Sequence, residues 1–113
     1  MQIRFANSPE ETRAMSTEAL RNHFLISGLF TANQINLTYS HYDRMIVGGA
    51  HPVDQKITLQ NPAELRANFF LERREMGIIN VGGSGTVIAD GVSYQINKMD
   101  CIYAVSYTHL RAH

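Results

Sequence analysis

The segment "GTVIADGVSYQI", residues 85 to 96, places the strongest constraint on the fold. Two β-rich runs flank Asp90-Gly91, and Asp-Gly is a preferred pair for a two-residue hairpin turn because both residues need a positive φ. Glycine adopts a positive φ without a steric penalty. The segment therefore predicts a tight antiparallel hairpin. A hairpin of this kind is stable only within a larger sheet or against a helix.

Further short strands are predicted on both sides of this hairpin. In "QINLTYS", Ile35, Leu37 and Tyr39 alternate with polar residues, which is typical of a half-buried strand. The runs "RMIVGG", "QKITLQ", "GIINV" and "DCIYAV" are also strand-like. Cys101, in the last run, is expected to be buried among apolar neighbours. Many short strands joined by glycine-containing turns favour a sandwich or a barrel.

Helix signals are concentrated before residue 30. Ser8 and Glu11 fit a capping box with a proline at the first helical position. Ser16 or Thr17 could cap a second helix through "EALRNHFL", and Gly28 is its expected stop. Later in the chain, "NPAELRA" repeats the cap signature and predicts one or two helical turns. The front half of "NFFLERREMGIINV" could extend that helix.

Composition and charge restrict the class of protein. A length of 113 residues and a hydrophobic fraction of 44% suit one domain with a modest core. Ten basic residues balance ten acidic ones, so charge gives no argument for a nucleic-acid or membrane partner. One cysteine excludes an internal disulfide and fits a reducing compartment. No signal peptide or membrane-spanning run is recognisable, which leads us to expect a cytoplasmic protein.

The five histidines do not predict a metal site inside the chain. His23, His41 and His51 lie far apart in sequence, whereas zinc needs three or four converging ligands. His109 and His113 have the four-residue spacing that places two imidazoles on one helix face. The glycine-rich "GGSGT" lacks the lysine of a phosphate-binding loop and leads into strand residues. We expect it to be a connection between strands.

The densest charge cluster is "ERRE", residues 72 to 75. On a strand, Glu72 and Arg74 would share one face, and Arg73 and Glu75 the other. One interpretation is recognition of an anion or carboxylate by the arginines. The other, which we favour, is ion pairing across strands or at a subunit interface. The candidate contact residues for a substrate or an interface are Arg44, Arg73, Arg74 and Glu75.

Three stretches of the chain resemble one enzyme family: "LRNHFL", "YSHYDRMIVGGAHPV" and "FFLERREMGIINVGGSGTVIADGVSYQI". They are similar to the N-terminal half of the 5-keto-4-deoxyuronate isomerases, the bacterial ketol-isomerases of pectin-derived uronates. The resemblance runs from about Leu20 to about Val105. It implies a two-domain cupin that binds zinc, assembles as a hexamer, and interconverts 4-deoxy-L-threo-5-hexosulose uronate and 3-deoxy-D-glycero-2,5-hexodiulosonate.

The first cupin motif, His-x-His followed by Glu and Gly, is degenerate in this chain. The matching positions are Phe69, Leu71, Glu75 and Gly82 or, with a longer gap, Phe69, Leu71, Met76 and Gly83. Phenylalanine and leucine offer no lone pair to a metal, and one carboxylate cannot hold zinc. The resemblance therefore implies that zinc and the catalytic residues belong to the second cupin. We expect no catalytic or metal-binding residue and no bound cofactor in this chain.

The last eight residues, "SYTHLRAH", depart abruptly from the family pattern. They resemble a translated sequencing adaptor, so residues 106–113 are interpreted as a non-native tail. The preceding parts are a helical segment over residues 1–30 and a degenerate cupin half over residues 31–105. Ending after "DCIYAV" would leave open sheet edges. The predicted fold is mainly β, an incomplete cupin jelly-roll barrel with short N-terminal helices.

These observations lead to two functional hypotheses. The first is the N-terminal part of a uronate ketol-isomerase, inactive alone, which supports the second cupin and supplies subunit contacts. The alternative is a non-catalytic, degenerate cupin that acts as a binding or assembly module. A small-molecule uronate and further copies of the chain are the partners implied by the first hypothesis.

Overall fold

A computed structural model describes residues 1–112, and the described chain is mainly β, as the sequence predicts. It forms two compact units, residues 1–51 and the residues from Pro52 onward. The first unit contains β1 (Gln2–Arg4), α1 (Pro9–Arg13), α2 (Thr17–Phe24), β2 (Ile35–Ser40) and β3 (Met45–Ala50). The second contains β4 (Ile57–Thr58), a 3₁₀ turn (Ala63–Leu65), β5 (Met76–Ile79), β6 (Gly85–Ala89), β7 (Val92–Ile96), β8 (Cys101–Ala104) and β9 (Leu110–Ala112). Within residues 1–112, the sheets do not close into a barrel.

Both predicted N-terminal helices are present with their caps. The Ser8 side chain accepts from the Glu11 backbone N–H, and the Glu11 side chain accepts in return, which completes the capping box of α1. Ser16 caps α2 by accepting from the backbone N–H of Ala19. The expected stop at Gly28 is wrong, because Leu25 is already extended and ends the helix after Phe24. Neither helix has the length and apolar character needed to cross a membrane.

The first unit has a three-stranded sheet with β2 in the centre. β1 pairs with β2 in parallel, and β3 pairs with β2 antiparallel. The sequence did not predict β1, which is only three residues long. The predicted burial pattern of β2 is also only partly correct. Thr38 lies on the side that the pattern predicts to be solvent-exposed, but it is only 5% exposed. Thr38 lies opposite Gln2 on one side and Val47 on the other, so it is flanked by strands on both sides.

Gly49 in β3 marks the closest backbone approach in the first unit. A Cβ atom at this position would lie 2.6 Å from the carbonyl oxygen of Leu29. The obstacle is largely backbone, which cannot rotate away as a side chain can. The second glycine of "RMIVGG" is therefore required by packing against the segment that precedes β2.

We expect Gly49→Ala to lower the free energy of unfolding by about 1–3 kcal/mol, because the new methyl group overpacks a buried site. The control is Gly77→Ala, since no atom lies within 4 Å of a Cβ at that position. It should change stability by less than about 0.5 kcal/mol. Urea denaturation followed by circular dichroism measures both. Equal losses for the two variants would contradict the packing argument.

The second unit has a four-stranded sheet in the order β4-β9-β6-β7. The predicted hairpin is confirmed: β6 and β7 pair antiparallel, with φ of 50° at Asp90 and 79° at Gly91. One face of this sheet supplies most of the core of the unit. Its buried side chains are Ile57, Val87, Ile96 and Leu110.

A separate two-stranded sheet pairs β5 with β8. Ala104 on its inner face is buried, whereas Ile79 and Tyr103 on its outer face are 61% and 66% exposed. The prediction that Cys101 is buried is wrong. Cys101 is the first residue of β8 and lies opposite Ile79, on the same exposed face. The apolar neighbours in "DCIYAV" alternate between the two faces, so they do not cover it.

The segment between the 3₁₀ turn and β5 is neither helix nor strand. "NPAELRA" forms one 3₁₀ turn, and the Asn61 side chain does not cap it but donates to the carbonyl oxygen of Ala67. The helix is not extended into "NFFLERRE". The placement of residues 72–75 on a strand is also wrong, because β5 begins only at Met76. The two-face arrangement of the charged residues therefore does not apply.

Candidate functional site

A groove in the second unit brings together three of the four predicted contact residues. Its volume is about 420 Å³, and its lining residues are Glu72, Arg73, Arg74, Glu75, Ser106 and Tyr107. The backbone N–H of Tyr107 donates to the carbonyl oxygen of Leu71 at 2.7 Å and so joins the two segments that form the walls. The fourth predicted residue, Arg44, lies in the first unit. It is exposed in the turn between β2 and β3, with φ of 51°.

Arg73 uses its guanidinium group to close the preceding 3₁₀ turn. Its Nη2 atom donates to the carbonyl oxygen of Arg66 at 2.8 Å and to that of Leu65 at 3.4 Å. Carbonyl groups at the end of a helical turn have no partner within the turn, and a cationic donor satisfies them well. Arg73 is therefore engaged in holding its own loop.

The two carboxylates of the cluster are also hydrogen-bonded. Glu72 accepts from the backbone N–H of Asn68 at 2.6 Å and from its side-chain amide at 3.1 Å. Glu75 accepts a hydrogen bond from the hydroxyl group of Tyr103. These contacts fix the loop over residues 68–75 against β8. Arg74 is the half-buried arginine of the groove.

The arrangement suits binding better than proton transfer. An exposed groove with two arginines can attract a carboxylate or phosphate. Glu72 and Glu75, the two carboxylates of the groove, already hold parts of the protein together by accepting hydrogen bonds from Asn68 and Tyr103. The geometry therefore favours a structural or anion-contact role for residues 72–75.

The described residues bring no metal-ligand set together. Within residues 1–112, no group of three or more His, Cys, Asp and Glu side chains could hold a metal ion. Zinc, which the family resemblance implies, therefore does not fit this part of the chain. The pair His109 and His113 falls partly outside the described residues. The ring of His109 lies 4.3 Å from that of Phe69.

The two apolar positions of the degenerate cupin motif are packing residues. Leu71 is 1% exposed and is the most deeply buried large side chain of the described chain. Phe69 is half-buried and contacts the rings of Tyr107 and His109. Both side chains therefore pack against other parts of the second unit.

Sequence reasoning missed Ser106, Tyr107 and Tyr103 as neighbours of the charge cluster. The first two lie in the segment that the sequence predicts to be a non-native tail. Tyr103 could have been found from strand pairing. Aligning "EMGII" with "CIYA" places it opposite Gly77 and close to Glu75 on the same face.

The assignment of Arg73 as a loop residue predicts a loss of stability on mutation. We expect Arg73→Ala to lower the free energy of unfolding by about 1 kcal/mol, the value of an exposed hydrogen bond to a charged donor. Lys98→Ala, at another exposed basic residue, is the matched control and should change little. Thermal and urea unfolding compare the two. An Arg73→Ala variant as stable as the control would show that these carbonyl contacts do not matter.

Comparisons with known proteins give the family relationship. No protein-family model matches the chain. A relative from Lachnoclostridium phytofermentans is 50% identical over 103 residues, and one from Halalkalibacterium halodurans is 46% identical over the same number. One from Formosa agariphila is 48% identical over 100 residues. All three carry the name 4-deoxy-L-threo-5-hexosulose-uronate ketol-isomerase.

The alignments cover most of this chain but only a minor part of each relative. The alignment to the first two covers 91% of this chain but only 37% of each relative, and for the Formosa agariphila protein the shares are 88% and 36%. The chain therefore spans little more than a third of their length. The resemblance noted in the sequence is confirmed: over about nine-tenths of its residues, this chain is similar to part of a 4-deoxy-L-threo-5-hexosulose-uronate ketol-isomerase.

Proposed function

We propose that this chain is the N-terminal part of a ketol-isomerase that converts 4-deoxy-L-threo-5-hexosulose uronate to 3-deoxy-D-glycero-2,5-hexodiulosonate during uronate breakdown. The single observation that carries this proposal is the 46–50% identity to relatives of that name over 91% of the chain.

The part played by this chain in the proposed enzyme is structural. A ketol-isomerase transfers a proton between adjacent carbons while a polarising group stabilises charge on oxygen. The groove carboxylates of Glu72 and Glu75 accept hydrogen bonds from Asn68 and Tyr103 and so position the loop before β5. We propose that the proton-transfer residues and the zinc ligands belong to the remainder of the enzyme. This chain alone is then inactive and holds no zinc.

The fold proposed for this part is an incomplete cupin jelly roll. Two features support it: the sheets of antiparallel strands in the second unit, and the packing of Leu71 at a position where the general motif has histidine. Arg44, Arg73, Arg74 and Glu75 stay predicted contacts to a uronate carboxylate or to a neighbouring subunit. Of these, Arg74 is the half-buried arginine that lines the groove.

The alternative function is that of a binding or assembly module without catalysis. The exposed apolar face of β5 and β8, with Ile79 and Tyr103, favours this role. The same face would serve subunit contacts in a cytoplasmic homo-oligomer, such as the hexamer that the family resemblance implies. The two functions differ in whether a longer protein carrying this chain turns over the uronate.

A chimera tests the proposed function. The aligned 103 residues of the Lachnoclostridium phytofermentans relative are replaced by the corresponding residues of this chain. We expect the chimera to isomerise the uronate within about tenfold of the intact relative, because a retained scaffold leaves the reacting groups in place. The isolated 113-residue chain should give no turnover above the buffer rate.

A second chimera carrying Leu71→Asp is the matched control, since it buries a charge at the most enclosed site. It should lose both folding and activity. A folded first chimera without activity, with the intact relative active in the same assay, would contradict the isomerase assignment. It would then favour the assembly module. Turnover by the isolated chain would contradict the structural role.

A further inference from the structure

One edge of the four-stranded sheet in the second unit is open. β7 is the last strand in the order β4-β9-β6-β7, and within residues 1–112 no strand pairs with its outer edge. Its pairing with β6 runs without a bulge from the Ala89–Val92 pair to the Gly85–Ile96 pair. The strand contains neither lysine nor proline. Bulges, lysines and prolines are the usual means by which proteins protect an exposed edge, so β7 is an unprotected one.

The backbone groups that point outward from β7 belong to Ser93 and Gln95. In a two-residue hairpin the residues that flank the turn, here Ala89 and Val92, form a hydrogen-bonded pair. Hydrogen-bonded and non-hydrogen-bonded pairs alternate along an antiparallel ladder. Tyr94 therefore bonds to β6 as Val92 does, and Ser93 and Gln95 present their N–H and C=O groups at the open edge.

The side chains on the core-facing side of β7 are also uncovered. Tyr94 lies opposite Val87 in the ladder, and directly opposite residues share one face of a sheet. Val87 is 5% exposed, whereas Tyr94 is 48% exposed. Val92, on the same face as Tyr94, is 53% exposed. The core therefore covers β6 and leaves most of the apolar face of β7 in solvent.

The sequence around β7 is complementary to itself when two copies run antiparallel about Tyr94. Apolar residues then face apolar ones and polar residues face polar ones, in the pairs Val92–Ile96, Ser93–Gln95 and Tyr94–Tyr94. Asp90 and Lys98 lie equally far from the centre, and both are exposed. At each end of the paired strands, the carboxylate of one copy therefore meets the ammonium group of the other. The charges are complementary at both ends.

The same register satisfies the backbone groups of the open edge. Ser93 of one copy lies opposite Gln95 of the second copy, and both present outward groups, so the two residues exchange both N–H···O bonds. The pair occurs once on each side of Tyr94. A shift by one residue would set outward groups against inward ones. Tyr94 and its copy form a non-hydrogen-bonded pair, in which the side chains lie closest.

We propose that β7 is a self-pairing edge, through which two copies of this chain join antiparallel about Tyr94 and merge their sheets into one. The interface is isologous, because the same patch serves both copies. Each copy contributes one short strand, which makes the interface smaller than a standard one and the association weak, in the high micromolar range. The pairing uses no residue of the isomerase reaction and does not depend on that assignment.

Sedimentation equilibrium of the 113-residue chain, at concentrations from about 10 µM to 1 mM, tests whether copies associate. We expect the mean mass to rise from that of one chain toward that of two. Ser93→Pro removes an outward N–H and leaves the β6 ladder intact, so it should stay monomeric. Lys98→Glu sets two acids together at each end and should weaken the association at least threefold.

Disulfide trapping tests where the copies meet, in chains that carry Cys101→Ser to remove the exposed native thiol. Tyr94→Cys places two thiols in the central pair, within the distance that a disulfide spans. Val92→Cys is the matched control. It lies on the same face and is similarly exposed, but it faces Ile96 and not its own copy. We expect Tyr94→Cys to be trapped as a dimer at least tenfold faster than Val92→Cys.

Circular dichroism checks the fold of each variant. If Tyr94→Cys loses its β signal, an equal mixture of Ser93→Cys and Gln95→Cys chains replaces it, with Ser93→Cys alone as the control. A chain that stays monomeric at the highest concentration overturns the proposal. Association that a folded Ser93→Pro chain retains in full overturns it as well. So does trapping of the control as fast as that of the central or mixed pair.

Discussion

Asn80 joins the three segments that meet at one end of the second unit, and the arrangement of its sheets depends on these contacts. Its side-chain amide donates to the carbonyl oxygens of Gly83 and Ile96 at 2.9 and 3.1 Å, and its side-chain oxygen accepts from Gly82. Its backbone N–H donates to Asp100, and its carbonyl oxygen accepts from Met99. Asn80, which directly follows β5, is thus joined to the glycine-rich connection, the end of β7 and the turn before β8. An apolar residue here would remove three side-chain hydrogen bonds and would leave the part-buried carbonyl oxygen of Ile96 without this partner, at a cost of about 1–3 kcal/mol.

The same principle accounts for the charged residues of the groove. Loops between short strands have many backbone groups that no ladder satisfies, so side chains must supply the missing hydrogen bonds. Arg73 and Glu72 do this for the loop before β5, and Glu75 is joined to β8 through Tyr103. A cluster that looks like a binding site in sequence therefore serves, in large part, to position a loop. This is why we assign the chemistry of the proposed isomerase to residues outside this chain.

The features that were predictable from the sequence are those that depend only on neighbouring residues. The Asp90-Gly91 turn and the Ser8 and Ser16 caps were predicted because a few adjacent residues fix each one. Features set by distant partners were not predictable in this way. Cys101 looked buried from its apolar neighbours, but strand pairing places it on an exposed face. Likewise, Thr38 lay on the polar side of the sequence pattern, but it is buried in a strand that pairs on one side with the unpredicted β1.

The candidate site was predictable only in part. The density of charge in "ERRE" identified three groove residues, but their hydrogen-bond partners lie in a turn and in a strand of another sheet. The family relationship came from long shared motifs, which need no structure. The division of the sequence at residues 30 and 105 and the non-native origin of the tail stay predictions. In the described chain, Leu110 of that tail is part of the core.

We propose that this chain is a scaffold whose own residues hold no catalytic metal. The most direct test is the amount of zinc retained by the purified 113-residue chain after equilibrium dialysis against a low micromolar Zn²⁺ buffer at pH 7. We predict much less than one zinc ion per chain, with no change when His109 and His113 are both replaced by alanine. One tightly held zinc ion per chain, lost in that double variant, would contradict the claim and would make the C-terminal histidines a metal site.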